Sequence, residues 1–451
     1  MKNSLTQYIE LFANYRALLG EQAPAALDKQ RDAALQTLQR TGLPTLKTER
    51  YRYCDVQQLL APDFGVNLQR HTSGRNPYRD FRCAIPKLHA DLFHTENDVP
   101  ILPPDFDAHA SAEKDVAVVT LRQAADLLPE VLEQHYHSLA SKNDDALVAL
   151  NTLLTQDGWL VYANAGSEET PTVQVVNTAC GRLPLMMNRR LLVVAKPGAK
   201  LDLILCDRTE GDAGFLTTQV TEVVIGEGAD VTVSVLDETN QHTTRFSNLL
   251  VHQAANSRFT LNELSLGSGR SRNTVDVLLA GSGSYTQLNG AVIADGEQVV
   301  DNNLEVVHAV GGCQSDMLYK CVLGGESVGA FAGKVLVRQD AQQSISQQTN
   351  ANLCTSELAR AFSQPMLEIY ADDVKCNHGS TIGKLDEMAL LYMRQRGVEE
   401  PEAKLLLQHA FVNEVLERIE LVPLRERLSH LVEQRFRGRM GKQCKGCDFC
   451  G

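Results

Sequence analysis

The chain has 451 residues, 43% apolar and 22% charged, a composition that suits a globular protein of two or three domains. Its formal net charge of −13 disfavours nonspecific binding to nucleic acid. No apolar run reaches the ~18 residues that a membrane-spanning helix needs. The first ten residues carry Glu10 and no apolar stretch, so they do not read as a signal peptide. Eleven cysteines, an odd count without an export signal, point to reduced thiols in a cytoplasmic protein rather than a disulfide framework.

Residues 1 to about 60 read as helical. Tyr8, Ile9, Phe12, Leu18 and Leu19 form one apolar stripe and Ala34, Leu35 and Leu38 a second, which Gly42 and Pro44 stop. Residues 61 to about 140 are mixed, rich in Pro, Asp and His, and yield no clear pattern. From about Asn151 to Tyr370 short β-type runs take over, such as Leu191-Leu-Val-Val194, Thr221-Glu-Val-Val-Ile225 and Val231-Thr-Val-Ser-Val235. Small or polar turns recur near positions 198, 228, 256, 282, 312 and 341, with steps of 30, 28, 26, 30 and 29. Strand–turn units that cannot bury their own apolar face stack on one another. The expected product is a β-helix, with an ordinary sandwich or barrel as the alternative.

Beyond Gly383 three helical patterns follow. Asp386 and Glu387 supply first-turn acids and Gly397 a stop. Pro401 opens the second helix, with Ala403, Leu406, Leu407, Ala410, Phe411 and Val415 as its expected apolar face. Pro423 opens the third, through Leu424, Leu428, Leu431 and Val432. The chain has no phosphate-binding Gly-x-x-x-x-Gly-Lys-Ser/Thr loop, no nucleophile elbow and no His-Glu-x-x-His helix. A carbohydrate-active β-helix enzyme would rest on fold analogy alone.

Two thiol-bearing segments carry chemistry. Cys376 and His378 lie two residues apart, so an extended backbone puts them on one face. A thiolate and an imidazole there suit iron or zinc, and Asp372 and Asp373 could add a carboxylate or orient the ring. The alternative is that Cys376 is a small buried residue and His378 caps the helix behind it. In the tail, Cys444, Cys447 and Cys450 are separated by two residues each. That spacing offers three ligands to a metal or a four-iron cluster. Persulfide or redox handling, or no specific role, are the other readings. Cys313 and Cys321, with His308 upstream, are expected inside the β region.

The run Ser363-Gln-Pro-Met-Leu-Glu-Ile-Tyr-Ala-Asp-Asp-Val-Lys-Cys-Asn-His-Gly-Ser-Thr-Ile-Gly-Lys-Leu-Asp-Glu-Met-Ala-Leu-Leu-Tyr-Met-Arg-Gln-Arg-Gly397 resembles the signature of the SufB/SufD family of iron–sulfur cluster assembly scaffolds. Phe331-Ala-Gly-Lys-Val-Leu-Val337, Gln347-Gln-Thr-Asn-Ala-Asn-Leu353, Asn151-Thr-Leu-Leu-Thr-Gln-Asp-Gly158 and Pro44-Thr-Leu-Lys-Thr-Glu-Arg-Tyr-Arg-Tyr-Cys-Asp55 resemble other family elements. Tyr51 stands where tryptophan is usual. Cys376-Asn-His378 is the D-type form of the motif. The resemblance implies a mainly β protein, a right-handed parallel β-helix (β-solenoid) core flanked by helical domains. Its expected partition is 1–145 N-terminal, 146–372 β-helix, 373–437 C-terminal helical and 438–451 cysteine-rich tail. It implies a noncatalytic subunit that pairs with a SufB-type paralogue, or with itself when isolated. A SufC-type ATPase would dock at about 385–436. An iron–sulfur cluster or iron would be held transiently at a shared interface through His378, with no cofactor firmly bound by this chain and no nucleic-acid or membrane partner.

Overall fold

Runs of β-branched and apolar residues, broken by a tight corner roughly every fifteen residues, build the centre of the molecule. The computed structural model describes residues 4–80, 85, 87–166 and 169–438. Two ten-stranded sheets face each other, and from residue 159 onwards successive strands alternate between them. Thr172–Cys180 goes to the second sheet, Leu185–Ala195 to the first, Lys200–Glu210 back to the second, and so on to Val374–Gly383. Neighbours among these strands run parallel. The result is the expected parallel β-solenoid, about seven turns long.

The register explains the spacing seen in the sequence. Lys200, Asp230, Arg258, Tyr285, Gln314, Ile345 and Lys375 stand in one row of the second sheet, so each turn takes 27 to 31 residues. The predicted turns are one of the two corners of each coil. At that corner one residue adopts positive φ: Gly198, Gly228, Asn256, Gly283, Gly312 and Gln343. Its amide reaches the next coil, as Gly198 N donates to Glu227 O (2.8 Å) and Gly228 N to Ala255 O (2.9 Å). Glycine dominates because a Cβ disfavours this conformation.

Between the sheets lies a core of Val, Leu and Ile with Phe259, Tyr319 and Phe331. The outer face of the first sheet is covered by helices Ser4–Gln22, Arg31–Thr41 and Ala146–Leu154, through Tyr8, Phe12, Leu19, Leu38 and Leu150. Gly42, at φ +65, ends the second of these helices as expected. The outer face of the second sheet is covered by helices Glu400–Glu417 and Val422–Phe436. Leu424, Leu428, Leu431 and Val432 are buried as expected. On the preceding helix Ala403 and Val415 are buried as expected, but Leu405 and Val412 are buried while Leu406 is exposed, so its apolar face is rotated from the expected one. Apolar and polar residues are spread round that helix without a sharp division, and its pattern alone could not select the packed side.

Two boundaries differ from the expected partition. The β-solenoid does not stop at 372, because Val374–Gly383 pairs along its length with Ser344–Cys354. Nor is 1–145 only a flanking domain. Asp91–Glu96, Val99–Ile101 and Val116–Thr120 join the two sheets at their first coil. Polar strand residues masked the first of these extensions, and short strand length the second. Among the described residues no helix is long and apolar enough to cross a membrane.

Candidate functional site

The last coil carries the residues singled out in the sequence. Val374–Gly383 is an outermost strand of the second sheet, and Arg360–Ile369 is an outermost strand of the first. Each has one partner strand among the described residues, Ser344–Cys354 and Val328–Val337 respectively. Both leave a free edge of main-chain N–H and C=O groups. The edges lie side by side, bridged by Ser380 Oγ and Ser363 Oγ at 2.7 Å.

Cys376 packs partly buried against the core between the sheets. His378, two residues on, belongs to the same inward-facing row and is exposed because no further coil covers it. The expected common face is therefore present, within a strand rather than at the junction with the helices. His378 does not cap the following helix. Asp386 does, accepting from the Met388 and Ala389 amides at 2.8 and 3.1 Å. Asp372 and Asp373 remain on the turn before the strand. Among the described residues no three His, Cys, Asp or Glu side chains converge as a metal site. The chain brings two donors to this end. Cys444, Cys447 and Cys450 lie outside the described residues.

Beneath the two donors the previous coil is polar. Ser346 and Gln348 are the register neighbours of Cys376 and His378. Ser346 ends a buried file, in which His308 Nε2 meets Ser315 Oγ at 2.9 Å and Ser315 Oγ meets Ser346 Oγ at 2.8 Å. Gln348 Nε2 donates to Gly333 O at 3.1 Å, while its buried Oε1 has no partner. Burial pushes the Cys376 thiol above its ordinary pKa, with the Ser346 backbone pulling weakly the other way. The resting thiol is therefore protonated and a poor nucleophile. Burial holds His308 down at about 4, so its ring is neutral near pH 7. Cys313 and Cys321 are interior, as expected, and burial pushes Cys321 to about 12.

Residues 176–411 match the SUF system FeS cluster assembly SufBD core domain, and residues 2–175 match the SufBD protein N-terminal region. The chain belongs to the SufBD family of iron–sulfur cluster assembly proteins. It is 28% identical over 437 residues to an iron–sulfur cluster assembly SufBD family protein of Synechocystis, covering 93% of each chain. It is 27% identical over 450 residues to the iron–sulfur cluster assembly protein SufD of Escherichia coli, covering 97% of each. With SufD of Bacillus subtilis it shares 24% over 431 residues, 92% of this chain and 95% of the other. These relatives agree with the D-type form of the Cys376-Asn-His378 segment.

The N-terminal element of this SufBD protein also acquires a structural meaning. Arg50 pairs with Asp276 (Nη2 to Oδ1, 2.5 Å) and donates to Asn303. Tyr51 donates to Asp145 and lies under the Arg272 guanidinium, 4.2 Å from its ring centre. Tyr53 stacks on Phe362 of the last coil at 4.7 Å. The segment is a strap across the outer face of the first sheet. Residues around the open end that sequence reasoning missed include Ser363, Ser380 and Gln348. They are ordinary polar residues; Ser380 follows His378 on the same strand, and only the coil register brings Gln348 beneath it and Ser363 against Ser380.

Proposed function

We propose that this chain is the D-type, noncatalytic subunit of the iron–sulfur assembly scaffold and presents its open solenoid end to a SufB-type paralogue. The observation that carries the reading is the pair of free edge strands, Arg360–Ile369 and Val374–Gly383, with Cys376 and His378 on the inward row. A second solenoid end would satisfy both edges by strand pairing. It would also cover Ile369, Tyr370 and Ile382, which are 38%, 64% and 55% exposed. The same edges allow a homodimer when the chain is alone.

Iron, or a cluster in assembly, is the cargo at this interface. Thiolate and imidazole both suit iron. This chain supplies His378 and Cys376, and the partner supplies the remaining positions, so the cargo is shared and transient. The exposed imidazole is the first donor that arriving iron meets. The Cys376 thiol must lose its proton on ligation. ATP hydrolysis comes from a SufC-type subunit docked on about residues 385–436. In support, helix Glu387–Gln395 has no buried residue, and Met388, Leu391 and Tyr392 are 73%, 46% and 57% exposed. The complex works in the cytoplasm. The three tail cysteines, at 444, 447 and 450, are an additional metal or cluster ligand set.

The test is coexpression with SufB-type and SufC-type subunits and anaerobic isolation of the complex. Wild-type chain is expected to copurify with both and to carry iron and sulfide. His378→Ala is expected to keep the complex and lose most of its cluster. Failure of the wild-type chain to copurify would sink the pairing. Full cluster content in His378→Ala would remove that residue from the site.

A further inference from the structure

The strap from Pro44 to Leu60 forms one side of a partly open cavity of about 200 Å³ against the corner of the first sheet where strands Thr244–Gln253, Arg270–Leu279 and Val299–His308 begin. One water needs only ~10–15 Å³ on this measure, so there is room for a small organic molecule. Three arginines line the cavity: Arg245, Arg270 and Arg272.

Their pairing is incomplete. Arg272 is 2% exposed; its Nη1 donates to Asp301, while Nε and Nη2 have no partner. Arg245 is 1% exposed; Nε donates to Asp207 at 2.8 Å and Nη1 to Asn273 at 2.6 Å, and Nη2 has no partner. Arg270 Nη1 is held by two main-chain carbonyls, Gly269 at 2.9 Å and Glu297 at 2.5 Å. Among the described residues no carboxylate pairs with Arg270. The two carboxylates of the lining are already engaged, Asp301 with Arg272 and Asp55 with the Gln58 amide at 3.1 Å. Buried charged donors without acceptors are costly. A carboxylate is the group whose two oxygens fit a guanidinium edge.

The rest of the wall presents Leu46, Leu59, Phe246 and Val299 beside Tyr53, Gln58 and Ser271. A bare inorganic anion would leave that surface unused. The wall is also pre-formed, because Arg50, Tyr51 and Tyr53 are each anchored, to Asp276, Asp145 and Phe362. Burial keeps the Cys54 thiol protonated, at about 12, so it adds no negative charge.

We infer that this cavity binds a small organic carboxylate, with its charged end toward half-buried Arg270 and its apolar body against Leu46, Leu59, Phe246 and Val299. The site is separate from the open solenoid end and does not depend on the reading of that end.

Isothermal titration calorimetry on the full chain tests it, with benzoate, its neutral counterpart benzamide, and inorganic phosphate at constant ionic strength. Benzoate is expected to bind one molecule per chain, more tightly than either control. Arg270→Gln removes one charge from a half-buried position and is expected to weaken benzoate roughly tenfold. Leu46→Asp, at a position 51% exposed, is expected to weaken it by repulsion. Thermal unfolding without ligand is expected to be unchanged in both. No benzoate binding by the wild-type chain, or binding that both variants leave intact, overturns the site. Equal binding of benzamide, or tighter binding of phosphate, overturns the carboxylate assignment.

Discussion

The two ends of the solenoid face the same physical problem and meet it differently. Stacked coils leave free strand edges and an open interior at each end. At the first coil the chain plugs the interior itself and ends each sheet in a short antiparallel strand. Val116–Thr120 runs antiparallel beside Trp159–Ala163, and Asp91–Glu96 and Val99–Ile101 extend the other sheet. Phe93 packs edge-on against Trp159 and Phe106, at 5.2 and 6.1 Å, to plug the interior, and Trp159 Nε1 donates to Thr95 at 2.9 Å. At the last coil nothing comparable is present among the described residues. The C-terminal helices turn back along the second sheet, anchored by Lys320 Nζ to Phe411 O (2.9 Å) and Arg418 to Asp316 (2.9 Å). The chain thus fills one end with an aromatic plug and leaves the strand edges of the other unpaired.

That contrast can be broken most severely at the closed half. Arg190 and Glu222 form a pair with no exposed side-chain surface, 2.6 Å apart. Glu222 also accepts the His137, Leu139 and Ala140 amides. Glu222→Ala strands the arginine and is expected to cost about 3–5 kcal/mol, read from urea unfolding.

A smaller effect comes from acid. Burial holds the His308 ring at about 4, against ~6.5 in the unfolded chain. The unfolded state therefore takes the proton first as pH falls. His308's contribution is complete above the unfolded value and is lost down to about pH 4, at most on the order of 3 kcal/mol. His94 and His137, near the closed end, are also held at about 4 by burial. Asp98 and Glu263, raised by burial to about 6 and 7, act in the opposite sense. Their contributions are full below the unfolded carboxylate values and fade as pH rises through the folded ones. The clean measurement is thus a difference. His308→Asn is expected to flatten the stability curve between pH 7 and 4 relative to wild type, and parallel curves would refute the assignment.

Substitutions at the open end sharpen the comparison from the other side. Ile382→Asp and Tyr370→Asp alter exposed positions and are expected to change unfolding by no more than ~0.5 kcal/mol each. If this end is the pairing surface, they weaken association with the SufB-type subunit by about 2 kcal/mol or more, measured by sedimentation. His378→Ala is the mildest for the fold, with no expected change in stability or pairing and its effect confined to cluster content.

Much of this architecture was legible beforehand. The turn spacing from Gly198 to Gln342 registered one corner of every coil, because each coil needs a positive-φ residue there and glycine supplies it most cheaply. Asp386, Gly397, Pro401 and Pro423 marked the C-terminal helices, since caps and first-turn prolines act within a few residues. The opposite corners are as short and also use positive-φ residues, at Gly211, Ser268, Gly296 and Gly325. The edge location of Cys376 and His378 escaped notice because a strand's place in a sheet depends on what does, and does not, lie beside it. The buried ions were also illegible. Arg189 and Arg245 share Asp207 from different strands, at 3.2 and 2.8 Å, and nothing local in the chain distinguishes them from surface charges.

By itself, then, the order of residues determined the repeating β unit, the helices that follow it, the family motif and the common face of Cys376 and His378. All of these arise from interactions among near neighbours: φ preferences, caps and the two-residue strand period. Only the tertiary structure decided that Val374–Gly383 ends a sheet, that the N-terminal strap lines an arginine-bearing cavity, and that one end of the solenoid is plugged while the other stays free. Those outcomes depend on contacts between residues tens to hundreds of positions apart, whose partners the local sequence does not name.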